Sequence, residues 1–94
     1  MRHRAAAEAF PPGEFLREEL ATRGWTQANL AERMGRPLRS INEIINSKKA
    51  ITAETALGLA SAFGTSAEYW MNLESAYRLH LARRHKREVV RAAD

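Results

Sequence analysis

Residues 27–46 contain two short helical patterns on either side of a glycine, and this arrangement constrains the fold more than any other feature of the chain. Gly35 occupies the turn, where a left-handed backbone is easiest for a residue without a Cβ. Ala31 lies where two helices approach closely, which requires a small side chain. Ile41 and Ile44 are spaced to anchor the second helix from beneath. Two helices joined by a turn of about three or four residues form a helix-turn-helix, which we predict here.

Helical patterns also dominate the rest of the chain, in which few residues favour strands. Residues suited to begin or end helices recur along it: Thr26, Thr52 and Ser66 as N-caps, and Gly24, Gly35 and Gly64 as C-caps. Together they predict an all-α fold, a compact bundle of five helices. The fifth helix is expected to fray from Arg83, where the sequence becomes strongly charged.

Several classes of function are excluded by residue types that these 94 residues use rarely or never. The absence of cysteine excludes disulfide scaffolds, thiolate zinc sites and cysteine nucleophiles. Asp94 is the sole aspartate, which excludes catalytic triads that depend on aspartate. His80 and His85 do not form a metal-binding pattern, so no metal site is expected. We therefore expect no enzyme, no cofactor and no small-molecule substrate.

A membrane partner is not expected either, because no apolar run approaches the roughly 18 residues that a membrane span needs. The N-terminal residues are too short and too interrupted for a signal peptide, so the chain is expected to be cytoplasmic. We divide it into a flexible segment (residues 1–11), a helix-turn-helix domain (residues 12–82) and a basic C-terminal tail (residues 83–94).

The net charge of +4 conceals an uneven distribution. Residues 36–49 hold four basic side chains against Glu43 alone: Arg36, Arg39, Lys48 and Lys49. A second basic cluster begins at Arg78, whereas residues 13–35 and 50–77 carry an excess of glutamate. Clustered positive charge suits a polyanion, because each neutralised phosphate releases counterions. A domain that is simply soluble is the alternative interpretation.

The third predicted helix, residues 38–46, has two faces of different chemistry. Its isoleucines gather on one side, at about 100° per residue. Polar side chains gather on the opposite side: Arg39, Asn42, Glu43 and Asn46. Arginine, asparagine and glutamate match the edges of guanine, adenine and cytosine in the major groove. An ordinary solvated face is the alternative; the helix-turn-helix and its flanking cations favour base reading, although Glu43 could instead pair with Arg39.

Other polar residues around the motif are candidates for phosphate contacts. Gln27 begins the second helix, where free N–H groups and an amide side chain can meet a phosphate. Ser40 could do the same. Arg36, Lys48 and Lys49 flank the third helix and would lie beside the DNA backbone. Contacts of that kind set affinity and salt dependence rather than sequence preference.

Five segments together closely resemble the HigA family of antitoxins: residues 12–20 (PGEFLREEL), 24–27 (GWTQ), 41–46 (INEIIN), 49–52 (KAIT) and 66–73 (SAEYWMNL). The resemblance covers about residues 10–79 and implies the lambda-repressor-like fold of the wider Xre-type group. It also implies that the chain neutralises a RelE/HigB-like mRNA endonuclease toxin by direct binding, and that a homodimer represses its own operon at operator DNA. The resemblance further implies that five residues contact the operator DNA: Gln27, Arg39, Asn42, Glu43 and Asn46.

Two residues depart from the family pattern. Pro37 stands where many relatives have a capping serine or threonine, which puts one contact with the DNA backbone in question. Asn29 replaces the glutamate that would complete a capping box with Thr26, so this box is expected to be incomplete.

The fifth helix carries the candidate dimer surface, formed by Tyr69, Trp70, Leu73 and Tyr77. The alternative is that these residues complete the core of one chain, and a stripe this wide is expected to do both. A twofold dimer would require DNA half-sites about 34 Å apart.

The two ends of the domain have several interpretations. The basic tail is a solvated and partly disordered end, an additional phosphate contact, or a contact for an acidic toxin surface. The first helix, with Glu14, Glu18 and Glu19, matches a basic toxin better, and an ordinary solvated face that also carries Arg17 is the alternative. Three functions compete with that of antitoxin and autorepressor: a regulator of the same fold without a toxin, a protein inhibitor whose DNA-binding motif is a relic, and, least supported, an enzyme.

Overall fold

The computed structural model describes residues 9–93, and every regular element within that range is a helix. The helices are α1 (Pro12–Arg23), α2 (Gln27–Met34), α3 (Leu38–Ile45), α4 (Ala53–Phe63) and α5 (Ala67–Ala93). The predicted all-α bundle of five helices is therefore confirmed. The predicted flexible segment, residues 1–11, falls mostly outside the described residues. None of these five helices combines the length and the apolar character needed to cross a bilayer.

Three predicted N-caps hold the first turns of their helices. The Thr26 hydroxyl accepts a hydrogen bond from the Asn29 N–H at 3.0 Å, and the Thr52 and Ser66 hydroxyls likewise accept from N–H groups three residues ahead. The expectation of an incomplete capping box is wrong, because the Asn29 side-chain oxygen accepts from the Thr26 N–H at 2.9 Å. An asparagine is shorter than a glutamate but carries the same kind of acceptor, and here that acceptor reaches the cap.

Helix α5 continues to Ala93 instead of fraying from Arg83. The residues beyond Arg83 are mostly strong helix formers, and an ion pair one turn apart joins Arg84 Nε to Glu88 Oε1 at 3.5 Å. Side chains in residues 82–91 are exposed, so this end of α5 extends past the rest of the bundle. The high local charge therefore does not end the helix, because the charged residues individually favour helix and one pair of them, Arg84 and Glu88, is joined by an ion pair.

All five helices contribute side chains to one hydrophobic core. Its largest fully buried side chains come one from each of the five helices: Trp70, Leu16, Leu30, Ile41 and Leu59. The Trp70 indole N–H donates to the Thr65 hydroxyl at 2.8 Å, which satisfies the one polar group of that ring. The core therefore packs α5 against α4, and its side chains also contact the buried sides of α2 and α3.

A buried carboxylate ties α5 to the loop between α3 and α4. Glu74 is only 7% exposed, and its Oε1 accepts a hydrogen bond from the Ile51 N–H at 2.8 Å. Its other oxygen pairs with Arg78 one turn further along α5. Because Ile51 follows the loop that carries Lys48 and Lys49, this contact limits where those two lysines can lie.

Candidate nucleic-acid interface

Helix α3 is anchored to the core by the three predicted isoleucines. Each of them is at most 3% exposed: Ile41, Ile44 and Ile45. In the turn before α3, Gly35 has the left-handed conformation (φ 64°), and the Arg36 N–H donates to the Ala31 carbonyl at 2.9 Å. The predicted helix-turn-helix is therefore confirmed, and Ala31 is buried as expected.

A glycine in α1 allows α1 to approach α3 closely. Gly13 is buried, and a Cβ added at this position would lie 2.2 Å from the carbonyl oxygen of Ile45, the last residue of α3. Carbon and oxygen atoms that are not bonded do not come this close, so only glycine permits the observed packing. This backbone contact helps to set the position of α3 relative to α1.

The side of α3 opposite the isoleucines is open to solvent. Arg39 has 88% of its side chain exposed, and Asn42 is also exposed. The polar face predicted for this helix is therefore present and uncovered within the chain. Its role in reading bases remains a prediction, because that role depends on a bound duplex.

Glu43 lies between two cations, which makes it a weaker candidate for a base contact than its neighbours. Its Oε2 is 3.7 Å from Arg39 Nε, and its Oε1 is 3.7 Å from Lys49 Nζ. Only 28% of the Glu43 side chain is exposed. The structure therefore has the alternative arrangement, in which Glu43 pairs with Arg39.

Two amide side chains join the beginning of α2 to the middle of α3. Asn42 Nδ2 donates to Gln27 Oε1 at 3.2 Å, across 15 residues of sequence. Each amide keeps unused hydrogen-bonding capacity, because an amide group has two donors and an acceptor with two lone pairs. Ser40, the other polar candidate on this part of the motif, is half-buried.

Asn46 does not belong to α3, which ends at Ile45, and acts instead as the C-cap of that helix. Its Nδ2 donates to the Asn42 carbonyl at 3.0 Å, while its Oδ1 accepts from Arg17 Nη2 at 2.8 Å. Asn46 therefore lies close to the polar face, but its amide is already engaged within the chain. Sequence reasoning missed Arg17, because no local pattern connects residues of α1 with residues 29 positions away.

The cations predicted to contact phosphates fall into two groups. Lys48 and Lys49 are exposed in the loop after α3, where their N–H groups both donate to the Glu43 carbonyl at 2.8 and 3.2 Å. Arg36 instead pairs with Glu54 in the first turn of α4, with 2.9 Å between Nη2 and Oε1. Arg36 therefore links the turn to α4, and it is less available to a phosphate than the two lysines.

The four residues predicted for the dimer surface have different environments. Placing Trp70 on that surface is wrong, because Trp70 is fully buried in the core of its own chain. The indole is large and mostly apolar, so the small core of this domain gains most by enclosing it. Tyr69 remains 40% exposed, and Leu73 and Tyr77 are half-buried, so these three residues stay candidates.

The two histidines of α5 do not take part in a metal-binding arrangement that the structure describes. His80 is half-buried and His85 is exposed. Within the described part of the chain, no group of three or more histidine, cysteine, aspartate or glutamate residues is arranged to hold a metal ion.

Comparison with known proteins places the motif in a wider family. The helix-turn-helix family model HTH_3 matches residues 16–70, which run from α1 into α5. Virulence-associated protein I of Dichelobacter nodosus is 40% identical over 82 residues, which cover 86% of this chain and 76% of that protein. Antitoxin HigA-1 of Vibrio cholerae serotype O1 is 36% identical over 80 residues, which cover 84% of this chain and 75% of that protein.

A solved structure of a further relative has the same fold over nearly its whole length. It is the Pseudomonas aeruginosa antitoxin HigA with the higBA promoter, which matches with a TM-score of 0.82 and 33% sequence identity. The match covers 88% of this chain and 91% of the P. aeruginosa chain. Family model, sequence identity and fold agree, and this chain belongs to the HigA family of antitoxins, within the Xre-type helix-turn-helix proteins.

Proposed function

We propose that this chain is an antitoxin that binds and neutralises an mRNA endonuclease toxin of the RelE/HigB kind and represses its own operon by sequence-specific binding to operator DNA. The observation that carries the proposal is the uncovered polar face of α3 in a chain of the HigA family. The P. aeruginosa relative was solved with a promoter, which supports operator DNA as the ligand of that face.

In the proposed complex α3 lies in the major groove and reads base edges. Arg39 donates its N–H groups to guanine, and Asn42 offers its free amide atoms to adenine. Glu43 orients Arg39 by its ion pair instead of reading a cytosine. The hydrogen bond between Gln27 and Asn42 holds the first residue of α2 beside the same groove, where its amide and the free N–H groups of α2 meet a phosphate.

The DNA backbone is contacted by the loop that follows α3. Lys48 and Lys49 are exposed there, and the contact between Glu74 and Ile51 limits the movement of the loop. Two such chains form a homodimer through the exposed parts of Tyr69, Leu73 and Tyr77 on α5. The dimer doubles the number of base contacts and presents two copies of α3 to half-sites about one helical turn apart.

Substitutions of Arg39 and Lys48 are expected to affect DNA binding in different ways. Arg39→Ala should weaken binding to the operator by about 1–3 kcal/mol and relax the preference at one base pair. Lys48→Ala should weaken binding to all duplexes alike and reduce the slope of log affinity against log salt by about 1. Fluorescence anisotropy measures both effects, with the upstream promoter fragment and a scrambled duplex titrated at several salt concentrations.

The matched control is Arg87→Ala, which removes the same charge from the exposed end of α5. This control should keep the base preference of the original chain. If Arg39→Ala bound the promoter fragment with the original affinity and preference, the outer face of α3 would not be the reading surface.

Toxin binding is tested by expressing the chain together with the product of the neighbouring gene. A stable complex by size-exclusion chromatography and the loss of mRNA cleavage are expected. If Arg39→Ala retains both while it loses operator affinity, the DNA and toxin surfaces are separate. Promoter binding without any complex would instead indicate a regulator that has no toxin. A complex without promoter binding would indicate a protein inhibitor whose helix-turn-helix is a relic.

A further inference from the structure

The first residue of α3 is a leucine with half of its surface open to solvent. Leu38 is 51% exposed, although the isoleucines of the same helix are at most 3% exposed. It directly precedes Arg39, the exposed arginine of the polar face. An apolar side chain thus lies at the N-terminal end of the helix that is proposed to enter the major groove of the DNA.

The position of Leu38 on α3 determines what it would meet in a complex. Leu38 lies one turn before Asn42, and side chains four residues apart share a side of a helix. Asn42 in turn contacts Gln27 at the N-terminal end of α2. Leu38 therefore lies at the N-terminal end of the side of α3 that faces the beginning of α2. In helix-turn-helix complexes the N-terminal residues of the second helix are those that contact base edges.

We propose that Leu38 is a specificity-determining residue that contacts the 5-methyl group of a thymine in the operator. This inference rests on the proposed function. The methyl group of thymine is the apolar group that base pairs present in the major groove. Leucine neither donates nor accepts hydrogen bonds, so any other base edge beneath it would lose water without gaining a partner.

Exposure alone does not single out this leucine, since isolated apolar side chains are common on protein surfaces. Leu57 on α4 and Leu79 on α5 are also exposed, at 64% and 48%. Leu38 differs from them by its place on the DNA-reading helix, between the turn at Arg36 and the cation Arg39. The exposed positive charge of the adjacent Arg39 favours a polyanionic ligand over an apolar protein surface.

The test removes single methyl groups from the DNA. In synthetic duplexes of the promoter fragment, each thymine of the protected site is replaced in turn by deoxyuridine, which lacks only the 5-methyl group. For the original chain, one position in each half-site should show a loss of affinity of roughly threefold to tenfold, the size expected for one buried methyl group. Leu38→Ala should bind the thymine and deoxyuridine duplexes equally well at that position.

Two matched variants keep the measurement interpretable. Leu57→Ala removes another exposed leucine and should preserve the thymine preference, while Lys48→Ala should weaken binding to both duplexes by the same factor. The inference is overturned if no deoxyuridine position weakens the original chain, or if Leu38→Ala keeps the full thymine preference. Failure of the original chain to bind any promoter duplex would overturn the proposed function itself, and this inference with it.

Discussion

Trp70→Ala is expected to lower the free energy of unfolding by about 3–5 kcal/mol, the cost typical of removing a large aromatic side chain from a core. Trp70 has no exposed surface, its ring centroid lies 5.8 Å from that of Phe63, and its N–H bonds to Thr65. The variant would lose these contacts and leave a cavity between α4 and α5. Small domains are stable by only about 5–15 kcal/mol, so a large part of the stability would disappear.

Urea unfolding followed by circular dichroism measures this loss, at one protein concentration because any dimer makes stability depend on concentration. The control is Met71→Ala, the next residue of α5, which is 36% exposed and should cost less than about 1 kcal/mol. A small loss of stability for Trp70→Ala, accompanied by a shift from dimer to monomer, would contradict the burial of Trp70 within one chain.

Gly13→Ala is expected to destabilise the chain by about 2–3 kcal/mol, near the upper end of the usual cost of overpacking. The new Cβ would lie 2.2 Å from the Ile45 carbonyl oxygen and 3.0 Å from that of Ile44. Both atoms belong to the backbone, so α1 and α3 must move apart. Alanine favours helix over glycine by about 1 kcal/mol, but this gain is smaller than the steric cost.

Gly58→Ala is the matched control, because Gly58 is also a helical glycine with a close neighbour. Its added Cβ would lie 2.9 Å from Met34 Cε, the far end of a flexible side chain that can move. We therefore expect Gly58→Ala to be close to neutral or mildly stabilising in thermal unfolding. Equal effects of the two substitutions would show that the contact between α1 and α3 is not rigid.

The same displacement should also reach the proposed DNA-binding surface. Ile45 ends α3, and the side chain of the next residue, Asn46, accepts a hydrogen bond from Arg17 of α1. Gly13→Ala should therefore weaken promoter binding even at temperatures where the variant is fully folded. Promoter affinity measured by anisotropy at low temperature, with Gly58→Ala beside it, separates this effect from unfolding.

Much of the secondary structure was predictable because its signals act over three or four residues. The Thr26 cap bonds to a group three positions away, and the left-handed Gly35 closes α2 by its own conformation. Isoleucine spacing predicted which side of α3 is buried. The end of α5 differs from the prediction, because the helix propensity of the residues after Arg83 outweighs the repulsion between their charges.

The candidate site was predictable only in part. Exposure of Arg39 followed from the helical period, since it lies opposite the isoleucines. The partners of the other polar residues did not follow, because Arg17 and Asn46 are 29 residues apart and Gln27 and Asn42 are 15 apart. Helical periodicity shows which side of a helix faces the core, but it does not show which other helix lies across from it.

The order of amino acids by itself determined where the helices begin, where the turn of the motif lies and which side of α3 is polar, because these properties depend on neighbours along the chain. Only the tertiary structure decided that Trp70 belongs to the core, that Gly13 lies against the end of α3, and that Leu38 stays open beside Arg39. Those outcomes depend on distances between helices, and such distances arise only when the helices pack together.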